Sequence, residues 1–90
     1  MSIKTVARRQ YQRIADDAVG RQPSRPPEGW LRTVRKALGM SGAQLARKMG
    51  ITRSRVAQAE QAELSGGATL KSMQAAAEAI GCRFVYTVVP

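Results

Sequence analysis

The segment TRSRVAQAEQ, residues 52–61, sets Arg53, Ser54, Ala57, Gln58 and Gln61 on one polar face at helical spacing, with Arg55 toward its flank. A guanidinium can donate to both O6 and N7 of guanine, and a primary amide can bond adenine at N6 and N7. Arg53 and Gln58 therefore have the chemistry for reading base edges in a major groove. Ser54 is short and discriminates weakly, and Ala57 could touch a thymine methyl. The preceding stretch SGAQLARKMG, residues 41–50, adds Ser41, Gly42, Arg47 and Lys48. With Thr52, Arg55 and the free N–H groups at helix N-termini, these suit phosphate, which positions a protein on a duplex without reading sequence.

Other chemistries find few residues to work with. The 90-residue chain has no His and one Cys, Cys82, which has no partner in the chain. That removes most metal sites, His-based acyl transfer and an internal disulfide, and it makes a reducing, cytoplasmic setting the expectation. Six carboxylates offer little for catalysis, and Asp16 and Asp17 point to different sides of a helix, so no enzyme and no cofactor is expected. The N-terminal twenty residues lack the apolar run of a signal peptide, and nothing approaches the roughly 20 apolar residues of a membrane span.

The two segments must be held by short helices. Ser41 can cap a helix whose buried side is Leu45, Ala46 and Met49; Gly50 can take the left-handed stop and Ile51 plugs the turn. Thr52 caps the next helix, buried through Val56 and Ala59, and the small Ala46 and Ala59 allow a close, steep crossing. That is a helix-turn-helix. Before it, Leu31, Val34 and Leu38 share the face of a short helix ending near Gly39, with Trp30 expected to anchor the connector on the core rather than stack on a base. After it, ELSGGAT reads as a loop, and Thr69 caps a further helix with Leu70, Met73, Ala76, Ala77 and Ile80 inward and Gly81 at its end.

The flanks differ from this middle. Ile3, Val6, Ala7, Tyr11, Ile14, Ala15, Ala18 and Val19 draw one stripe on an amphipathic helix over residues 1–20, with Lys4, Arg8, Arg9 and Arg13 mostly off it. The stripe is expected to pack on the domain or on a second copy; membrane-surface binding is the weaker option, with Tyr11 as its only interfacial aromatic. Residues 21–29, RQPSRPPEG, form a proline-rich connector to the domain at 30–81. Residues 82–90, CRFVYTVVP, switch to period two with Phe84, Tyr86 and Val88 on one face, which predicts the chain's one strand. A lone strand cannot satisfy its backbone, so Phe84, Val85, Tyr86, Thr87 and Val88 are expected to pair across a two-fold homodimer; a frayed tail or a singly docked strand is the alternative.

Charge points to the partner. There are 15 Lys and Arg against 6 Asp and Glu, net +9, and residues 1–55 alone carry 13 basic and 3 acidic groups. A polyanion fits, nucleic acid being the commonest, against a basic surface that only keeps the protein in solution. A two-fold dimer would present its reading helices to half-sites about one duplex turn, roughly 34 Å, apart, so the expected target is an inverted repeat in double-stranded DNA.

SGAQLARKMGITRSRVAQAE resembles the helix-turn-helix of the lambda-repressor/Cro type, with Leu45-Ala46, Gly50, the Thr52 cap, Val56 and Glu60 at that spacing, and the likeness extends over residues 30–80. The implied fold is mostly α, a lambda-repressor-like domain with an N-terminal helix and the C-terminal β-strand. The resemblance implies an ion pair between Arg35 and Glu60, and a carboxylate at a core edge does want a bidentate partner; a solvent-exposed Glu60 is the alternative. That type often has Gln at the position of Gly42, where it bonds a phosphate and braces the reading helix. Glycine can do neither, which leaves close backbone approach.

RPPEGWLRTVRKALGMSGAQLARKMGITRSRVAQAE and TLKSMQAAAEAIGCRFVYTVVP look like the family called mobile mystery protein A, over most of the chain. Members are similar to HipB-type antitoxins, which dimerise through a C-terminal strand and repress their own operon. The resemblance implies a sequence-specific transcriptional repressor and a neighbouring Fic-domain protein, a class that transfers AMP from ATP to protein hydroxyls. The alternative it implies is an antitoxin that inhibits the Fic-domain enzyme directly. Some such inhibitors carry Ser/Thr-x-x-x-Glu-Gly/Asn on a helix, and SRPPEG, Ser24 to Gly29, fits that string through Glu28, although its two prolines disfavour a helix there.

Overall fold

Side-chain caps set where the helices start. In the computed structural model, which describes residues 3–20 and 23–90, the chain forms five helices: α1 (Ile3–Val19), α2 (Trp30–Ala37), α3 (Gly42–Met49), α4 (Arg53–Ser65) and α5 (Leu70–Ala79). Met1 and Ser2 of the expected N-terminal helix, the Ile3 side chain, and Arg21 and Gln22 of the connector lie outside what is described. Ser41 Oγ accepts from the Gln44 N–H while the Gln44 side chain accepts from the Ser41 N–H, a reciprocal capping box. Thr69 and Ser72 do the same for α5, and Thr52 Oγ1 accepts from the Arg55 N–H at the start of α4. Gly50, at φ 66°, turns the chain between α3 and α4.

The chain divides into two compact units, Met1–Ser24 with Val85–Pro90, and Arg25–Phe84. Within the second, α3 packs on α4 and α5, and α2 packs on α4 and α5. Leu45, Ala46, Val56 and Ile80 form one buried cluster, bordered by Val34, Met40, Met49, Ile51, Ala79 and Cys82. Leu31, Met73 and Ala76 form another, bordered by Met49, Ala68 and Phe84. Burying each Leu, Ile, Val or Met contributes about 1.5–3 kcal/mol, so these few side chains hold the three-dimensional arrangement of the reading segment.

Several expectations are corrected here. Leu38 and Leu70 are both more than half exposed, because each sits at a helix end past the turns that pack: Leu38 closes α2 and Leu70 opens α5. Residues 63–65 are helical rather than loop, so α4 runs on to Gly66. Residues 82–90 form neither helix nor strand, and among the described residues there is no strand at all. The physical reason is that a strand needs a second backbone laddered along it, and no described residue forms such a ladder with this segment. Phe84 is half-buried against Leu31, Met73 and Ala76 of its own chain, which leaves Val85, Tyr86, Thr87 and Val88 exposed.

In the first unit, α1 keeps Val6, Tyr11, Ile14 and Val19 at least half exposed. No described helix is long and apolar enough to cross a membrane.

Candidate nucleic-acid interface

Arg53 and Gly42 bring two helix starts together. A Cβ built on Gly42, the first residue of α3, would lie 4.0 Å from Cγ of Arg53, the first residue of α4. The N-termini of both helices are therefore adjacent, and the stem of Arg53 occupies the space beside Gly42. At a helix start the first N–H groups have no intrahelical acceptor and carry the positive end of the helix dipole. Two adjacent starts make a surface suited to phosphate oxygens. Ser41 and Thr52 use their hydroxyl oxygens to accept from the backbone, which leaves each O–H proton available to an acceptor outside.

Along α4 the inner stripe is Val56, Glu60 and Glu63, at i, i+4 and i+7, with Val56 and Glu63 buried and Glu60 half-buried. Ser54, Gln58 and Gln61 fall on the opposite side, with Ala57 beside them, and all four are exposed. Arg53 and Arg55 are exposed in the first turn. On α3, Arg47 and Lys48 are exposed and line a shallow groove with Leu38, Gly39, Met40 and Gln44. The candidate base-reading residues thus share an open face of one helix, and the candidate phosphate contacts lie at its start and on the helix before it.

Two carboxylates hold the inner side of α4 to α2. Arg35 donates through Nε to Glu60 Oε2 at 2.8 Å and through Nη2 to Glu60 Oε1 at 3.0 Å, and its Nη1 reaches the Met40 carbonyl at 2.9 Å. Hydrogen bonding to Glu60 raises the Arg35 pKa above its ordinary value, outweighing burial, which acts to lower it. Three residues on, Glu63 accepts from the Trp30 N–H at 2.7 Å and the Leu31 N–H at 2.9 Å, so a side chain of α4 caps the start of α2. Gly29 makes this approach possible. It takes φ 85°, and a Cβ there would stand 3.0 Å from the Glu63 carboxyl. Arg25 adds a 3.4 Å bond to the Glu63 carbonyl.

Glu63 is the residue that the sequence reading missed, having been assigned to a loop. The available signal was the spacing itself: Val56, Glu60 and Glu63 continue one stripe, and Gly66-Gly67 is the first strong stop after it. Trp30, expected to anchor the connector on the core, is 38% exposed, and its backbone N–H donates to Glu63. Cys82 is half-buried beside the first cluster.

Glu28 lies in a turn, its carboxylate accepting from Lys36 at 3.2 and 3.3 Å with Arg32 at 4.0 Å. Lys36 is the chief reason its pKa falls below the usual value. Ser24–Gly29 contains no helix, so the helical setting that the inhibitory motif requires is not met there. Asp16 accepts from Gln12 at 2.9 Å on the exposed side of α1. Among the described residues no group of three or more His, Cys, Asp and Glu could hold a metal.

Comparison with known proteins gives one family. The family model described as helix-turn-helix matches residues 31–86, more than half of the chain. No curated protein and no solved structure matches it.

Proposed function

The chain belongs to the helix-turn-helix family, a family of DNA-binding transcription regulators, and we propose that it is a sequence-specific repressor acting on its own operon. In this reading Arg53, Ser54, Ala57 and Gln58 face base edges, and Ser41, Gly42, Arg47, Lys48, Thr52 and Arg55 hold phosphates on either side. The observation that carries it is the meeting of Gly42 and Arg53, which puts two helix starts and the open face of α4 on one surface.

The protein binds as a pair of chains. Val85, Tyr86 and Val88 are each more than two-thirds exposed, and pairing with the same segment of a second copy would cover this apolar run and give it a strand ladder. Two α4 helices then meet an inverted repeat, and occupancy of that repeat blocks transcription of the operon, in which a Fic-domain neighbour is expected. Direct inhibition of that neighbour by Glu28 is not adopted, because the motif is not helical.

The test is a gel shift on the chain's own upstream DNA. Arg53→Ala and Gln58→Ala should each weaken binding to the specific site by about 1–3 kcal/mol, with unchanged circular dichroism. Specific affinity equal to that of the unmodified protein would overturn the assigned readout.

A further inference from the structure

The charges in the first half of α1 work against the helix that carries them. Lys4 and Arg8 lie one turn apart, as do Arg9 and Arg13, and like charges at that spacing destabilise a helix. The first turn contains no acidic residue, so nothing there offsets the unfavourable meeting of cations with the positive end of the helix dipole. The two carboxylates of the segment, Asp16 and Asp17, sit at the other end, where the dipole disfavours them. Neither Lys4 nor Arg8 has an acidic residue three or four positions away.

Those two cations share one side of the helix. Lys4, Arg8, Tyr11 and Gln12 are exposed, and with the small Ala7 and Ala15 they line a shallow groove along α1. Two cations and a phenol around a floor of methyl groups can follow a row of phosphate oxygens at close range, while the Gln12 amide donates to Asp16 at the far end of the groove. A phosphate run would also cancel the repulsion between Lys4 and Arg8. We propose that this side of α1 is a second DNA-backbone contact, which extends the footprint beyond the half-site read by α4. The inference rests on the DNA-binding reading above.

The experiment compares the full-length chain with Lys4→Gln/Arg8→Gln, with Arg8→Lys, and with Lys71→Gln on exposed α5 as a control, measuring affinity for the upstream DNA against salt. The double variant should lose about 1.8 from the steepness of log affinity against log salt per bound chain, about 0.9 per phosphate contact, with base preference unchanged. Arg8→Lys and Lys71→Gln should keep the original slope. Glutamine relieves the like-charge pair, so helix content should be retained, and circular dichroism checks it. An unchanged slope in the double variant, with Arg53→Ala still weakening specific binding, overturns this contact alone. Failure of the unmodified protein to bind DNA overturns both readings. Binding to phosphatidylserine vesicles that depends on Lys4 and Arg8, with the DNA slope unaffected, overturns it in favour of a membrane surface.

Discussion

Helices α1 and α4 are both basic in their first half and free of acidic residues in the first turn, yet the apolar stripe of α1 and the mixed inner stripe of α4 meet different fates. The inner stripe of α4 is consumed: Val56 is buried, Glu60 holds Arg35, and Glu63 caps α2. The apolar stripe of α1 stays open, with Ile14 64% exposed. Among the described residues every buried one lies between Gly29 and Ile80. An amphipathic pattern thus states only that a helix has a face to cover. Whether it is covered within the chain depends on polar anchors that hold it to a neighbour, and α4 has two such anchors.

Removing an anchor should have the largest effect. Glu60→Ala leaves the Arg35 guanidinium, about one-tenth exposed, without its carboxylate, and should cost about 3–5 kcal/mol of unfolding free energy in urea titrations. A loss below about 1 kcal/mol would mean that the Arg35–Glu60 pair does not hold α4. Next, Leu45→Ala should cost about 2–5 kcal/mol, whereas Ile14→Ala should stay within about 0.5 kcal/mol. Equal losses at the two positions would show that the α1 stripe is covered in solution, and a concentration-dependent loss at Ile14 would identify the cover as a second copy. A smaller loss than at Glu60 or Leu45 is expected at Glu63. Glu63→Ala should cost about 1–3 kcal/mol through the unsatisfied Trp30 and Leu31 N–H groups, and Glu63→Gln, which keeps one acceptor, should recover part of it. Indistinguishable alanine and glutamine variants would argue that the carboxylate is not the cap.

How much of this was legible follows from the range of each interaction. Ser41, Thr52 and Thr69 cap helices within three residues of themselves, and Gly50 turns the chain by its own backbone freedom; such features are local and can be read along the sequence. The open face of α4, with Ser54, Ala57 and Gln58, follows equally from helical period and composition. The partner of Glu63 lies 32 and 33 residues away, and no local rule connects a carboxylate in one helix to the N–H groups that start another.

By itself, then, the sequence determined where the helices start, their caps, the turn between α3 and α4 and the residues on the open face of α4, because propensity, capping and period act over a few residues. Only the tertiary structure decided that Glu63 caps α2, that Leu38 and Leu70 lie outside the core, that Phe84 packs inward, and that Arg53 runs beside Gly42. The C-terminal segment marks the boundary between the two. Its alternating apolar pattern specifies a face, but a strand exists only when another backbone accepts and donates along it, and that condition belongs to neighbours in space.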